Sequence, residues 1–246
     1  MKLEGIILKT EKLNAGYGKM HILFDVDLEF PEKKITGIVG PNGSGKSTLL
    51  KTIFGLTRVM SGRILLKEKD ITSKPPHEIA KLGIAYLPQT QNVFDNLTVQ
   101  ENLIMASYTL SKEEAKSKME EVLEIFPILR AYMKQKAGRL SGGERQMLAT
   151  AMALMRTPDV LMFDEPTAAL SPKVAHQIIN IIRELNAKRG KTVILVEQNA
   201  RLALEISHEA IVMSSGKVAY RGEGRKLLED PELGLLYLGV KTQSRR

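Results

Sequence analysis

The strongest constraint on this chain is a junction. The apolar run Ile35 to Val39 passes at once into Gly40-Pro41-Asn42-Gly43-Ser44-Gly45-Lys46-Ser47, and a helix is predicted to start near Lys46. Such a run reads as a strand buried on both faces of a parallel sheet. The residues after it fit G-x-x-x-x-G-K-[ST], in the strand-to-helix setting that this pattern requires. Glycines let backbone N–H groups curl around an anion, and a helix N-terminus adds partial positive charge. The residues expected to hold a phosphorylated ligand are Gly40, Asn42, Gly43, Ser44, Gly45, Lys46, Ser47 and Thr48. Lys46 suits β- and γ-phosphates, and the Ser47 hydroxyl suits Mg²⁺.

Hydrolysis needs a second half, and Val160 to Phe163 supplies a candidate by ending in Asp164-Glu165. Acidic residues often merely terminate strands. Ligands of open parallel sheets, however, sit beyond the carboxyl ends of the strands, which would bring Asp164 near the cradle. Asp164 then suits Mg²⁺, directly or through water, and Glu165 suits the base that polarises an attacking water.

The remaining chain reads as an α/β core with a helical insertion. Phe24, Val26, Leu28 and Phe30 alternate with Asp25, Asp27 and Glu29, as in a half-buried strand. From about Gln89 to Thr157 the signals are helical: Thr98/Glu101 and Ser111/Glu114 pair as capping boxes, and Met119, Val122, Leu123 and Phe126 form one apolar face. Thr192 to Val196 is a further apolar strand. Before it, a helix runs from Pro172, capped by Ser171 and stopped by Gly190, with Val174, Ile178, Ile181, Ile182 and Leu185 facing inward. Ala210 to Val212, Ser215-Gly216 and Val218 to Tyr220 read as a hairpin, and Lys241 to Arg246 as a frayed basic tail.

Composition narrows the function classes. The absence of cysteine excludes disulfides and Cys-ligated metal centres, and His21, His77, His176 and His208 lie in no ligand spacing and read as surface or loop residues. No apolar stretch approaches the ~20 residues needed to cross a bilayer, and no leader is read at the start. Lys+Arg 36 against Asp+Glu 28 leaves +8, which fits nucleic acid, an anionic membrane face, phosphorylated ligands or simply a solvated surface.

Leu140-Ser141-Gly142-Gly143-Glu144-Arg145-Gln146 is a third capping box, with two glycines exposing backbone amides at a helix start. An ordinary cap rarely uses Ser-Gly-Gly, because glycine weakens a helix. With this stretch the sequence resembles the ATP-binding cassette (ABC) ATPases, over roughly Leu8 to Gly239 and with the motifs in family order. The resemblance implies ATP and Mg²⁺ as ligands and a head-to-tail pair of cassettes, homomeric or with a related ATPase. In that pair Ser141, Gly142 and Gly143 act in trans on the γ-phosphate held by the partner. It implies adenine stacking by Tyr17 and, for Gln89 after Tyr86-Leu87-Pro88, Mg²⁺ sensing and a position facing the membrane subunits. The implied fold is a P-loop NTPase core, mostly parallel with an antiparallel N-terminal β part and an inserted α-helical subdomain. Its expected boundaries are 1–88 and 158–246 for the core and 89–157 for the insertion.

Two positions depart from the family pattern. Ser171 stands where Asp is usual, keeping the cap and losing a charge. Gln198 stands where a switch histidine is usual; it can donate to a γ-phosphate but cannot become cationic, or it is a plain loop residue beside a capping Asn199. Val196-Glu197-Gln198-Asn199, Phe94 to Asn102 and Tyr237-Leu238-Gly239 are similar to the shorter ATPase subunit of branched-chain amino-acid importers. That resemblance implies transmembrane permease subunits, an extracytoplasmic binding protein acting indirectly, and a place on the cytoplasmic face of the membrane. Related urea and amide importers look alike. A soluble ABC-type ATPase acting on nucleic acid is the rival, but no long heptad segment or tandem cassette supports it, and no nucleic-acid partner is expected.

Overall fold

Two sheets hold the strands of this computed structural model, which describes residues 5–90 and 92–229. The first contains β1 (Ile6–Tyr17), β2 (Met20–Pro31), and later β4 (Arg58–Leu66) and β5 (Lys69–Asp70). They pair antiparallel in the order β2-β1-β4-β5. The second contains β3 (Ile35–Val39), β6 (Ile84–Leu87), β7 (Val160–Asp164), β8 (Thr192–Val196), β9 (Glu209–Ser214) and β10 (Lys217–Glu223). Its order is β10-β9-β3-β8-β7-β6, parallel throughout except for the terminal β9–β10 hairpin. The expected antiparallel N-terminal part and parallel core are both present. Tyr237-Leu238-Gly239 and the basic tail lie outside the described residues.

Every residue of β3, β7 and β8 is buried. Alternation explains this, since successive side chains of a strand point to opposite faces. Leu161, Phe163, Val193 and Leu195 join one hydrophobic cluster, while Val160, Met162, Ile194 and Val196 join another. The second cluster is shared with the antiparallel sheet and with α1 (Lys46–Ile53). The first is covered by α3 (Val99–Ala106), α4 (Lys112–Ile125), α5 (Gly142–Leu154), α6 (Pro172–Arg189) and α7 (Ala200–Ile206). Short helices α2 (Pro76–Lys81) and α8 (Gly224–Glu229) complete the described set. Helices α3 to α5 lie between β6 and β7 in sequence, where the insertion was expected.

Three sequence readings need adjustment. In β2 the alternation breaks at Asp25, whose φ is 47°; Leu23 is fully buried while Phe24 is half-buried and stacks on His21. The cause lies across the strand. Asn14 Nδ2 donates to Asp25 Oδ1 at 2.8 Å, and the β1–β2 register slips between Leu13 and Ala15. The inward face of α6 includes Ala175 and Ile179, while Val174 and Ile181 are half-buried. Ser171 occupies the N-cap of α6 with extended backbone, but its side chain accepts no capping bond. Pro172 at the first helical position, with its preset φ, starts the helix instead. By contrast, all three capping boxes form with both reciprocal bonds.

Candidate nucleotide site

The cradle grows from the end of the central strand β3. Gly40 has φ 145°, and a Cβ there would lie 2.2 Å from the Met213 carbonyl oxygen, so only glycine fits the turn. Gly43 and Gly45 also have positive φ, and Gly45 is the N-cap of α1. Lys46 opens that helix at 4% exposure, its Nζ donating to the Gly40 and Pro41 carbonyls at 2.9 and 3.0 Å. Burial lowers its pKa, and the charges of Glu165 and Asp164 partly offset this. Ser44 Oγ is buried and has no hydrogen-bond partner. An orphaned hydroxyl, a buried ammonium bonded to its own loop and the open N-terminal turn of α1 together fit a polyphosphate.

The two motif halves meet. Ser47 Oγ donates to Asp164 Oδ1 at 2.7 Å, joining the first turn of α1 to the end of β7. Tyr86, on β6, donates its hydroxyl to Asp164 Oδ2 at 2.9 Å. Burial, and then the neighbouring Asp164 charge, push the Tyr86 phenol well above its ordinary pKa, so it stays a donor. A carboxylate and a hydroxyl are hard oxygen donors, suited to Mg²⁺ beside phosphates. Glu165 follows with φ 51°, a left-handed conformation that a non-glycine residue seldom adopts, and its N–H donates to Val196 O at 2.9 Å. Glu165 itself is half-buried.

The other expected residues are placed as follows. Tyr17 ends β1 with 44% exposure, open enough to stack on a planar ring. Gln89, past β6, and Gln198, past β8, are both exposed, and among the described residues the side chain of neither makes a hydrogen bond. Asn199 caps α7, accepting from Leu202 N. The four histidines are exposed. Ser141, Gly142 and Gly143 open α5, and no hydrogen bond ties them to the cradle of the same chain. The two glycines have an internal cause as well: a Cβ would meet Leu170 Cδ2 at 2.9 Å from Gly142, and Val174 Cγ1 at 2.4 Å from Gly143. The start of α5 therefore packs tightly on the loop that enters α6.

Three contributors escape a reading of motifs. Tyr86 is one. Glu197 is another: 2% exposed, it accepts from Thr167 N at 3.0 Å, and so ties the end of β8 to the turn after Glu165. Burial pushes its carboxyl up to about 7, against the Thr167 bonds and with help from the Glu165 charge. A charged residue directly after the apolar run Val193 to Val196 was the available signal. The third is Asn92, whose Nδ2 donates to Gln146 Oε1 at 3.0 Å and links the segment after Gln89 to α5.

A buried strand, a phosphate cradle and a carboxylate from β7, two strands away across β8, define an ATPase cassette of the P-loop class. The chain belongs to the ABC transporter family, whose profile matches residues 23–168. It is 57% identical to the probable branched-chain amino acid transport ATP-binding protein LivF of Archaeoglobus fulgidus, over 95% of this chain and 99% of that one. It is 40% identical to the high-affinity branched-chain amino acid transport ATP-binding protein BraG of Pseudomonas aeruginosa, over 95% and 100%. Among solved structures, the ADP conformation of MJ1267, an ATP-binding cassette of an ABC transporter, superposes with a TM-score of 0.85 at 32% identity, covering 96% of this chain and 100% of that one.

Proposed function

We propose that this chain is the energy-coupling ATPase of an importer for branched-chain or other hydrophobic amino acids. The observation that carries the ATPase reading is the Ser47–Asp164 hydrogen bond, which unites cradle and carboxylates in one site. ATP phosphates fall to Gly40, Asn42, Gly43, Ser44, Gly45, Lys46, Ser47 and Thr48, and the adenine to Tyr17. Mg²⁺ falls to Ser47 and Asp164, with Gln89 reaching it once the cassettes close. The metal would neutralise phosphate charge. Glu165 orients and deprotonates water, and Gln198 donates to the terminal phosphate. Ser141, Gly142 and Gly143 serve the cradle of a second cassette, and a bacterial cassette, MJ0796, has a dimeric structure. The segment 89–157 moves as a unit against the core of 1–88 and 158–246.

No helix among the described residues is long and apolar enough to cross a membrane, and in this reading the spanning part of the importer is supplied by permease partners. Phe94, Ile104, Met105 and Tyr108 are each about half exposed or more, and lie within or beside the inserted helices. An apolar group of this kind suits a permease loop, holding the chain at the cytoplasmic face. The amino-acid class is supported by the two relatives above.

The test is reconstitution with the permease subunits and binding protein of such an importer. Binding protein loaded with leucine, isoleucine or valine is expected to raise ATP hydrolysis in liposomes. Stimulation by urea or an amide alone would redirect the substrate. Stimulation by DNA and by no membrane partner would sink the transporter reading.

A further inference from the structure

Tyr86 stands between two features that no motif joins. At one end its hydroxyl holds Asp164 Oδ2, while Ser47 holds Oδ1, so both oxygens of a carboxylate only 3% exposed are fixed. At the other end its ring walls an open cavity of about 240 Å³, lined also by Phe54, Pro88, Tyr108, Ala153 and Arg156. The Phe54 ring lies 5.6 Å from that of Tyr86, centroid to centroid. Phe54 is in turn the C-cap of α1, the helix whose first turn carries Ser47. One rigid side chain therefore spans from cavity wall to metal-binding carboxylate.

We propose that Tyr86 is a positioning residue for Asp164, and that it transmits the filling of this cavity to the metal site. The inference rests on the ATPase reading above. A ligating carboxylate binds its metal best when an outer hydrogen bond fixes its rotation, and loss of such a partner typically costs about 10–100-fold in metal affinity. Ser47 alone leaves Oδ2 without a fixed direction. The ring of Tyr86 cannot tilt without moving its hydroxyl, so a group that enters the cavity and displaces the ring also moves the donor. Phe54, in contact with the same space, couples that displacement to α1.

Tyr86→Phe keeps the ring and its packing and removes only the donor. In the full chain with saturating ADP, Mn²⁺ binding followed by electron paramagnetic resonance is expected to weaken about tenfold in this variant. ADP affinity in EDTA, measured by calorimetry, is expected to stay unchanged. An unchanged Mn²⁺ affinity with normal ADP binding would overturn the proposal. Failure of the unmutated chain to bind ADP would instead overturn the ATPase reading beneath it. Ala153→Met, filling the cavity from α5, is expected to shift Mn²⁺ affinity in the Tyr86 background and not in the Tyr86→Phe background. Equal shifts in both would remove the transmitting role from Tyr86.

Discussion

Glu165 leaves β7 in a left-handed conformation, with its N–H bonded to Val196 and the following turn bonded to Glu197 through Thr167. The proposed base is thus aimed by backbone constraint and not by a bond to its own carboxylate. Glu165→Gln preserves the turn, so ATP affinity measured by titration is expected to hold while turnover falls by about 10²–10⁴-fold. Rapid hydrolysis by this variant would dismiss Glu165 as the base. Glu197 makes a prediction of the opposite kind, in stability. Its carboxyl sits at about 7 against an ordinary 4.5, so the folded state holds the proton more tightly than the unfolded one. That contribution is fully present below pH 4.5 and is lost as pH rises through about 7. Glu197→Gln keeps an acceptor for Thr167 N and cannot ionise. Relative to the unmutated chain, its melting temperature is therefore expected to rise between pH 5 and 8, by at most about 3 kcal/mol of stability. A pH-independent difference would mean that Glu197 ionises freely in the fold.

At the scale of elements, the local signals succeed wherever the cause is local. β3 and β8 are legible end to end because their strands are covered on both faces, and the capping boxes of α3, α4 and α5 because each is closed within four residues. The cradle was legible for the same reason. The bulge at Asp25 was not, since Asn14 causes it from the neighbouring strand. Nor was Tyr86, which acts only because β6 pairs with β7 across more than seventy residues of chain. Gly143 was legible as a helix start but not as a contact, because Val174 lies on another helix. Alanine there gains back about 1 kcal/mol of helix propensity, but its Cβ overlaps Val174 Cγ1, and overpacking costs about 1–3 kcal/mol. Gly143→Ala is therefore expected to destabilise in urea. Adding Val174→Ala should recover more than additivity allows, and strictly additive losses would deny the contact.

In the head-to-tail pair proposed above, the whole molecule is one half of a device. Its cradle lies at the carboxyl end of the parallel sheet, while its second anion-attracting feature, the start of α5, is fastened to α6 and shares no hydrogen bond with that cradle. A head-to-tail pair would bring each α5 start to the other chain's cradle, and that arrangement has a consequence a single chain cannot mimic. Lys46→Ala removes the buried ammonium from one cradle, and Ser141→Arg blocks the α5 start while leaving the cradle intact. Each variant alone is expected to be inactive, since every site in its own dimer lacks one half. In a mixed dimer, one site collects both damaged halves and the other collects both intact ones. Mixing the two inactive proteins is therefore expected to restore hydrolysis to on the order of a quarter of the unmutated rate for random pairing. If each chain used its own α5 start, the mixture would stay as inactive as its components at every ratio, and the trans assignment of Ser141, Gly142 and Gly143 would have to be abandoned.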